Sequence, residues 1–443
     1  MRLLPLAAQI SRIVFALSFV ITVSGLNFSP LVQLRDQQQV KLDQFDMLTT
    51  NSGWVLIGLH LFWTYDAGQV WNEISPSIPP DGSIQAVEFI DSNIGWMLWT
   101  TANSDGSANF QLAHTLDNGK TWATRALSLF ESGEIASYAE KAQMGWFDAQ
   151  RGWISVKQNS GSNFSMGTLF TTSDGGSSWR RFTLPVANKI YFSDPQNGWA
   201  VGGPTNDQVF NTQDAGATWK NVSPTDLPDG IQAIVSPPFI SNERGLLVIM
   251  TLGMENNLKV YSLENPVKWL PMGQIKLDVQ PGLIGLSFLD AQNFVAVVPN
   301  TTSIVRVMDG ELNVLNNRDG LSASIVELDM VSLDVGWAKS IDSSCVTASL
   351  PDPETASVSC SVTTRLLQTN NGGVTWQNMN LPVVQSDIAS LNPLNMNDTV
   401  IMNTISNSET SMEFVGQGFE RCEIPTLSQM QTWQASSPYK TVN

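Results

Sequence analysis

The sequence predicts an all-β chain built as a seven-bladed β-propeller of four-stranded antiparallel blades, with six or eight blades as alternatives, followed by a truncated β/α segment. Three observations predict it. An eight-residue box, Thr-x-Asp-x-Gly-x-(Thr/Ser/Val)-Trp, occurs five times, a Gly-Trp strand precedes each copy, and the copies are spaced by about one supersecondary unit.

The boxes run Thr64–Trp71, Thr115–Trp122, Thr172–Trp179, Thr212–Trp219 and Thr369–Trp376. Their Asp, Gly and Trp positions are Asp66, Gly68 and Trp71; Asp117, Gly119 and Trp122; Asp174, Gly176 and Trp179; Asp214, Gly216 and Trp219; and Asn371, Gly373 and Trp376. The Gly-Trp strands begin at Gly53, Gly95, Gly152, Gly198 and Gly336, each after a polar turn. Another short apolar strand precedes that turn, as in Lys189–Phe192. The unit is therefore strand, turn, Gly-Trp strand, variable loop, strand, box and strand, which makes four antiparallel strands. Repeated around an axis, such units leave only short, protected sheet edges.

Box-bearing blades are expected over 43–76, 84–128, 142–185, 188–224 and 325–382. The boxes stand 51, 57 and 40 residues apart from Asp66 to Asp214, then 157 residues separate Asp214 from Asn371. That gap holds two box-less units, traced by Gly245–Met250 with Leu258–Leu263, and by Leu283–Phe288 with Phe294–Val298 and Ser303–Val307. Residues 387–415 are expected to supply a ring-closing strand or an eighth, worn blade.

The chemistry of the box reads as structural. A short carboxylate in a tight turn accepts hydrogen bonds from its own loop. Glycine supplies a conformation that a Cβ forbids, and Trp packs as a large anchor with one polar N–H. Each box has too few oxygen side chains for a calcium cage. No metal or cofactor is implied. The boxes resemble the Asp-box (BNR) repeats of sialidases and sortilin-type propellers. Coupled to Gly-Trp strands over residues 43–385, they most resemble the photosystem II assembly/stability factor family and its bacterial relatives. That resemblance implies a seven-bladed propeller. The family's arginine-rich surface has no evident counterpart here.

The chain has two histidines, His60 and His114, both read as scaffold residues, which leaves no Ser-His-Asp or His-based zinc site in the pattern. A sialidase needs an arginine cluster and a Tyr/Glu pair. Arg151, Arg244 and Arg306 are the candidates for such a cluster, while Tyr65 and Tyr191 are expected to be occupied within the scaffold.

With 443 residues, 14% charged, 42% hydrophobic and a net charge of −17, the chain is folded and acidic, which argues against a nucleic-acid partner. Residues 1–25 read as a signal peptide or an uncleaved signal anchor, with an apolar run over Ile13–Val23. The expected location is secreted or extracytoplasmic, with membrane contact only through that anchor. Cys345 and Cys360 flank a polar loop and are expected to form a disulfide; Cys422 is left over.

The propeller is expected over 43–415 and a different unit over 416–443. Gly418-Phe419-Glu420-Arg421-Cys422, a Pro425–Trp433 helix and Ser437-Pro438-Tyr439 resemble the opening of a bacterial secreted family of glycoside-hydrolase-like barrels. The resemblance implies an incomplete barrel domain, with Glu420 catalytic only if a barrel follows. The function expected first is an exported, monomeric, non-enzymatic propeller that binds a protein or scaffolds an assembly. The alternatives are the glycan- or cell-wall-targeting part of a longer glycosidase, and a sialidase-like enzyme.

Overall fold

Short alternating strands joined by tight polar turns cannot cover both faces of their own sheets, so each sheet stacks its apolar faces on its neighbours. The computed structural model describes residues 41–384 and 412–415, apart from 104–106, 131–138, 159–166, 228–230, 242–243, 254, 266–267, 278–284, 299–302, 309–310, 317–323, 349–356 and 383. The segments expected at 1–25 and 416–443, with Glu420 and Cys422, lie outside the described residues.

Seven antiparallel sheets follow in sequence order. Blade 1 is β1 (Gln44–Met47), β2 (Gly53–Ile57), β3 (His60–Thr64) and β4 (Asn72–Glu73). Blade 2 is β5 (Ser83–Phe89), β6 (Gly95–Ala102), β7 (Ala108–Thr115) and β8 (Ala123–Leu127). Blade 3 is β9 (Ala139–Trp146), β10 (Gly152–Gln158), β11 (Gly167–Thr172) and β12 (Arg180–Leu184). Blade 4 is β13 (Lys189–Phe192), β14 (Gly198–Gly202), β15 (Gln208–Thr212) and β16 (Lys220–Asn221). The box-less blade 5 is β17 (Gln232–Val235), β18 (Phe239–Ser241), β19 (Arg244–Leu252), β20 (Asn256–Asn265) and β21 (Lys268–Leu277). Blade 6 is β22 (Gly285–Phe288), β23 (Phe294–Val297), β24 (Ser303–Met308) and β25 (Glu311–Asn316). Blade 7 is β26 (Ile325–Met330), β27 (Gly336–Ala348), β28 (Ser357–Thr369) and β29 (Gln377–Asn378). The chain is a seven-bladed, all-β propeller, and the long gap between boxes holds two blades.

One detail departs from expectation. β30 (Met412–Val415) pairs with the outer reach of β28, Ser357–Cys360, and not with blade 1. Residues 412–415 therefore neither close the ring nor begin an eighth blade. β27 and β28 also run as regular antiparallel strands past both cysteines, so the expected loop is shorter than the Cys345–Cys360 interval.

The core lies between blades. The Gly-Trp strands explain how it is filled, because each Gly is paired with the last residue of the first strand, as in Trp146↔Gly152 and Phe89↔Gly95. The large side chain lies flat across its glycine partner. A Cβ on Gly152 would stand 2.5 Å from Trp146 Cδ2. The following Trp then fills the space toward the next blade. Trp96 stacks on Trp146 at 4.2 Å and on His114 at 4.8 Å, so this histidine is a packing residue.

First strands of adjacent blades pack together near the axis, where side chains bridge from blade to blade. Gln143 Oε1 accepts from Ile190 N at 3.2 Å, its Nε2 donates to Asn188 O at 3.0 Å, and Ser287 Oγ accepts from Met330 N at 2.9 Å. Blade 7 meets blade 1 in the same manner. Leu42 N donates to Thr364 Oγ1 at 2.6 Å, Lys339 Nζ to Asp43 O at 2.8 Å, and Met47 N to Asp329 Oδ2. No helix among the described residues is long and apolar enough to cross a membrane.

Candidate binding face

The turn between the first and second strands of a blade and the turn between the third and fourth emerge on the same side of the ring. The second of these is the box, and it docks on the first. Ala67 N bonds Asn51 O at 2.8 Å, Asn118 N bonds Asn93 O at 2.9 Å, Gly175 N bonds Gln150 O at 2.8 Å and Gly372 N bonds Asp334 O at 2.8 Å. Loops pinned in this way form a preorganised face.

Within each box the geometry repeats. The Thr is buried; Thr115 Oγ1 donates to Asp117 Oδ1 at 2.9 Å and accepts from Gly119 N at 2.8 Å. Asp117 Oδ1 also accepts from Thr121 N at 2.8 Å, and Oδ2 accepts from the Thr121 hydroxyl at 2.7 Å. Asp174 and Asp214 are held identically by Ser178 and Thr218. Asn371 keeps the acceptor contact to Thr375 N at 2.9 Å, while its Nδ2 donates to Thr375 Oγ1 at 2.8 Å. The amide reverses one bond and preserves the loop. Asp66 faces Val70, so it keeps only the backbone bond at that end, 2.9 Å. Trp122 Nε1 reaches Ile74 O in blade 1 at 2.8 Å, and Trp71 Nε1 reaches Asn380 O at 2.9 Å, so these boxes also tie neighbouring blades.

Two successive residues of each box have positive φ, not the glycine alone. Gly119 (φ 71°) follows Asn118 (φ 58°), and in blades 1 and 4 the preceding residue is alanine, Ala67 (φ 57°) and Ala215 (φ 61°). A Cβ on Gly119 would also lie 2.7 Å from Ile74 O. Left-handed alanine is disfavoured. Ala215→Gly is accordingly expected to stabilise the chain by about 0.5–1 kcal/mol in a denaturant titration, whereas Gly119→Ala should destabilise it. Thr115→Val, which leaves Gly119 N without its acceptor, is expected to cost about 1–3 kcal/mol.

These contacts favour the ionised form of the box carboxylates. Hydrogen bonds from the Ser178 side chain and backbone hold Asp174 at about 2. Asp117 and Asp214 are lowered by their Thr121 and Thr218 side chains, and Asp66 by the Val70 N–H. In the adjoining turns Asp148 is held low against its burial by the Arg151 side chain, and Asp194 against its burial by Asn197.

Arg151, Arg244 and Arg306 belong to blades 3, 5 and 6; Arg151 pairs with Asp148 at 2.6 Å and Arg306 with Asp334 at 3.3 Å. Tyr65 differs from expectation, because the second box position points outward and leaves it 55% exposed. Tyr191 is half-buried. His60 Nδ1 meets Glu73 Oε1 at 2.7 Å. Among the described residues no group of three or more His, Cys, Asp or Glu is placed to hold a metal ion. Cys345 and Cys360 are Cα partners across β27 and β28; their side chains lie outside the described residues.

A further set of titratable groups is brought together by the fold from three different blades. Asp46, Glu88 and Asp329 stand on the first strands of blades 1, 2 and 7, each register-paired with a Gly-Trp tryptophan. They keep some surface along the axis yet are enclosed by the surrounding blades. Burial pushes Glu88 up to about 8, with the Asp46 charge adding to it, and raises Asp46 and Asp329, whose side chains share a hydrogen bond.

Fold and face together define a seven-bladed propeller with a box-pinned acidic face. Among solved structures the chain is similar to YCF48 bound to D1 peptide (13% identity, TM-score 0.46, covering 75% of this chain and 92% of that one). It is also similar to YCF48 from Cyanidioschyzon merolae (14%, 0.43, 68% and 86%) and to a GH74 xyloglucanase from Xanthomonas campestris (13%, 0.28, 77% and 62%). Identities and TM-scores are low, and the fold assignment stands on the chain's own sheets. No protein-family description and no curated protein matches the sequence.

Proposed function

We propose that the chain is a non-enzymatic propeller that binds proteins through its box face, with the boxes serving as structural turns and not as reactive sites. The observation that supports this most is the pinned, ionised rim. Asp66, Asp117, Asp174 and Asp214 are each fixed by their own loop, which lowers the cost of ordering these charges at binding. Steering by such a field accelerates association and weakens with salt. The test is a panel of folded basic proteins and cell-wall glycans applied to the immobilised full chain. Salt-sensitive protein binding with no glycan retention is expected. Glycan binding insensitive to salt would favour a carbohydrate-targeting module instead.

Export belongs to the same proposal, and a Cys345–Cys360 bond would accompany it. Antiparallel Cα partners lie about 4.5–5.5 Å apart, within the reach of a disulfide. Non-reducing peptide mapping should recover the two cysteines linked, and reduction should lower stability by about 3 kcal/mol. Full alkylation of both thiols in the native exported protein would exclude the bond.

A further inference from the structure

Repetition gives this face an internal reference, since each box position occurs in five blades. At the second position blades 3, 4 and 7 carry Ser173, Gln213 and Asn370, but blades 1 and 2 carry Tyr65 and Leu116. At the seventh, four blades carry the Thr or Ser whose hydroxyl bonds the Asp or Asn, but blade 1 carries Val70. Blade 1 has thus given up a hydrogen bond that its fold would accept. The substitutions are also outward-facing: Tyr65, Val70 and Leu116 are 55%, 56% and 61% exposed, and they make up half of the large apolar side chains exposed among the described residues.

The spot is firmly supported from below. Tyr65 lies 5.8 Å from Trp63, Trp63 lies 5.0 Å from Phe89, and Phe89 lies 6.3 Å from Trp122 of the second box. Trp122 in turn bonds Ile74 O of blade 1, which fixes the two loops relative to each other. Around the spot are Asp66 and Asp117, both held ionised; Lys120 is the cation of the second box. Apolar side chains on a rigid base, flanked by the Asp66 and Asp117 carboxylates, match a partner segment that carries apolar residues beside Lys or Arg.

We propose that Tyr65, Val70 and Leu116 form the specificity-determining centre of the box face and seat a basic segment with apolar side chains. This rests on the protein-binding reading of that face and names the partner's chemistry. The repeats also supply substitutions that the loop tolerates: Tyr65→Ser and Leu116→Ser copy blade 3, and Val70→Thr copies blades 2 and 4.

The test uses the full chain and four labelled synthetic peptide classes, basic–apolar, basic–polar, acidic–apolar and neutral–polar, read by fluorescence polarisation, with thermal melting to verify folding. The basic–apolar class should bind best, and the triple variant Tyr65→Ser, Val70→Thr, Leu116→Ser should lose about tenfold or more in affinity. Gln213→Ser in blade 4 should change nothing. Equal binding of both basic classes, or undiminished binding by the folded triple variant, would overturn the apolar centre while leaving the acidic face as the binding surface. Binding by none of the classes would also overturn it, and the folded-protein panel would then judge the wider reading separately. A dimer of the full chain that the same triple variant dissolves would assign the spot to a second copy and overturn the proposal.

Discussion

Trp337→Ala is expected to lower unfolding free energy by about 3–5 kcal/mol, among the largest losses available to a single substitution in this chain, and to open the ring at one place. Trp337 is fully buried in the cluster that joins blade 7 to blade 1, with Met47, Val55, Phe62 and Leu366. Its ring lies 5.9 Å from Trp71, and a Cβ on Gly53 would stand 2.8 Å from its Cζ3. The location matters more than the size. Among the described residues every blade is made of consecutive strands, and none from the start of the chain joins the last sheet. Among the described residues the seam is held by this packing and by bridging bonds such as Leu42 N to Thr364 Oγ1. Trp96→Ala, between Trp146 and His114, should cost a similar amount without opening the seam. Denaturant titration and limited proteolysis of the two variants distinguish them. A loss below about 1 kcal/mol in Trp337→Ala would show that closure lies elsewhere.

Raising the pH from about 5 to about 9 is expected to destabilise the fold, on the order of 1–3 kcal/mol. The cause is the axial carboxylate set. Asp46 and Asp329 share a hydrogen bond, which requires that one of them hold a proton, and Asp329 also accepts from Met47 N across the seam. Their folded values are raised by burial, and Glu88 stands at about 8. This set therefore binds more protons in the folded chain than in the unfolded one between about pH 4.3 and pH 8, opposed in part by His114, whose folded value burial lowers. Stability from this set is full below the unfolded values and falls as the pH rises through the folded ones. The box carboxylates work in the opposite sense. Their folded values are lowered, so their contribution is present above about pH 4 and lost as the pH falls toward the value of Asp174, about 2. Maximum stability should lie in mildly acidic solution. Glu88→Gln should melt higher than the parent at pH 9 and no higher at pH 5. A flat melting profile from pH 5 to 9 would contradict the assignment.

The architecture was legible because its determinants are local and repeated. The box carries its own hydrogen-bond partners within eight residues, and the Gly-Trp pair carries its packing partner one turn away. The axial carboxylates have a positional signature in the sequence: Asp46, Glu88 and Asp329 each stand eight residues before a Gly-Trp tryptophan, where blade 4 has Tyr191. Their chemistry arises from proximity between different blades, which spacing within one blade does not reveal. The left-handed alanines Ala67 and Ala215 were hidden because alanine gives no signal of positive φ. Pairing of β30 with β28 joins segments separated by a long stretch of sequence and has no local signature.

If the box carboxylates are engaged by their own loops, they are not available to a metal, and the face acts through fixed charge. Calorimetric titration of the full chain with calcium bears on this most directly. The expected result is no saturable binding and no change in melting temperature on addition of calcium or a chelator. Saturable binding in proportion to the number of boxes, lost stepwise with Asp117→Asn and Asp174→Asn, would show that the boxes are cation sites after all.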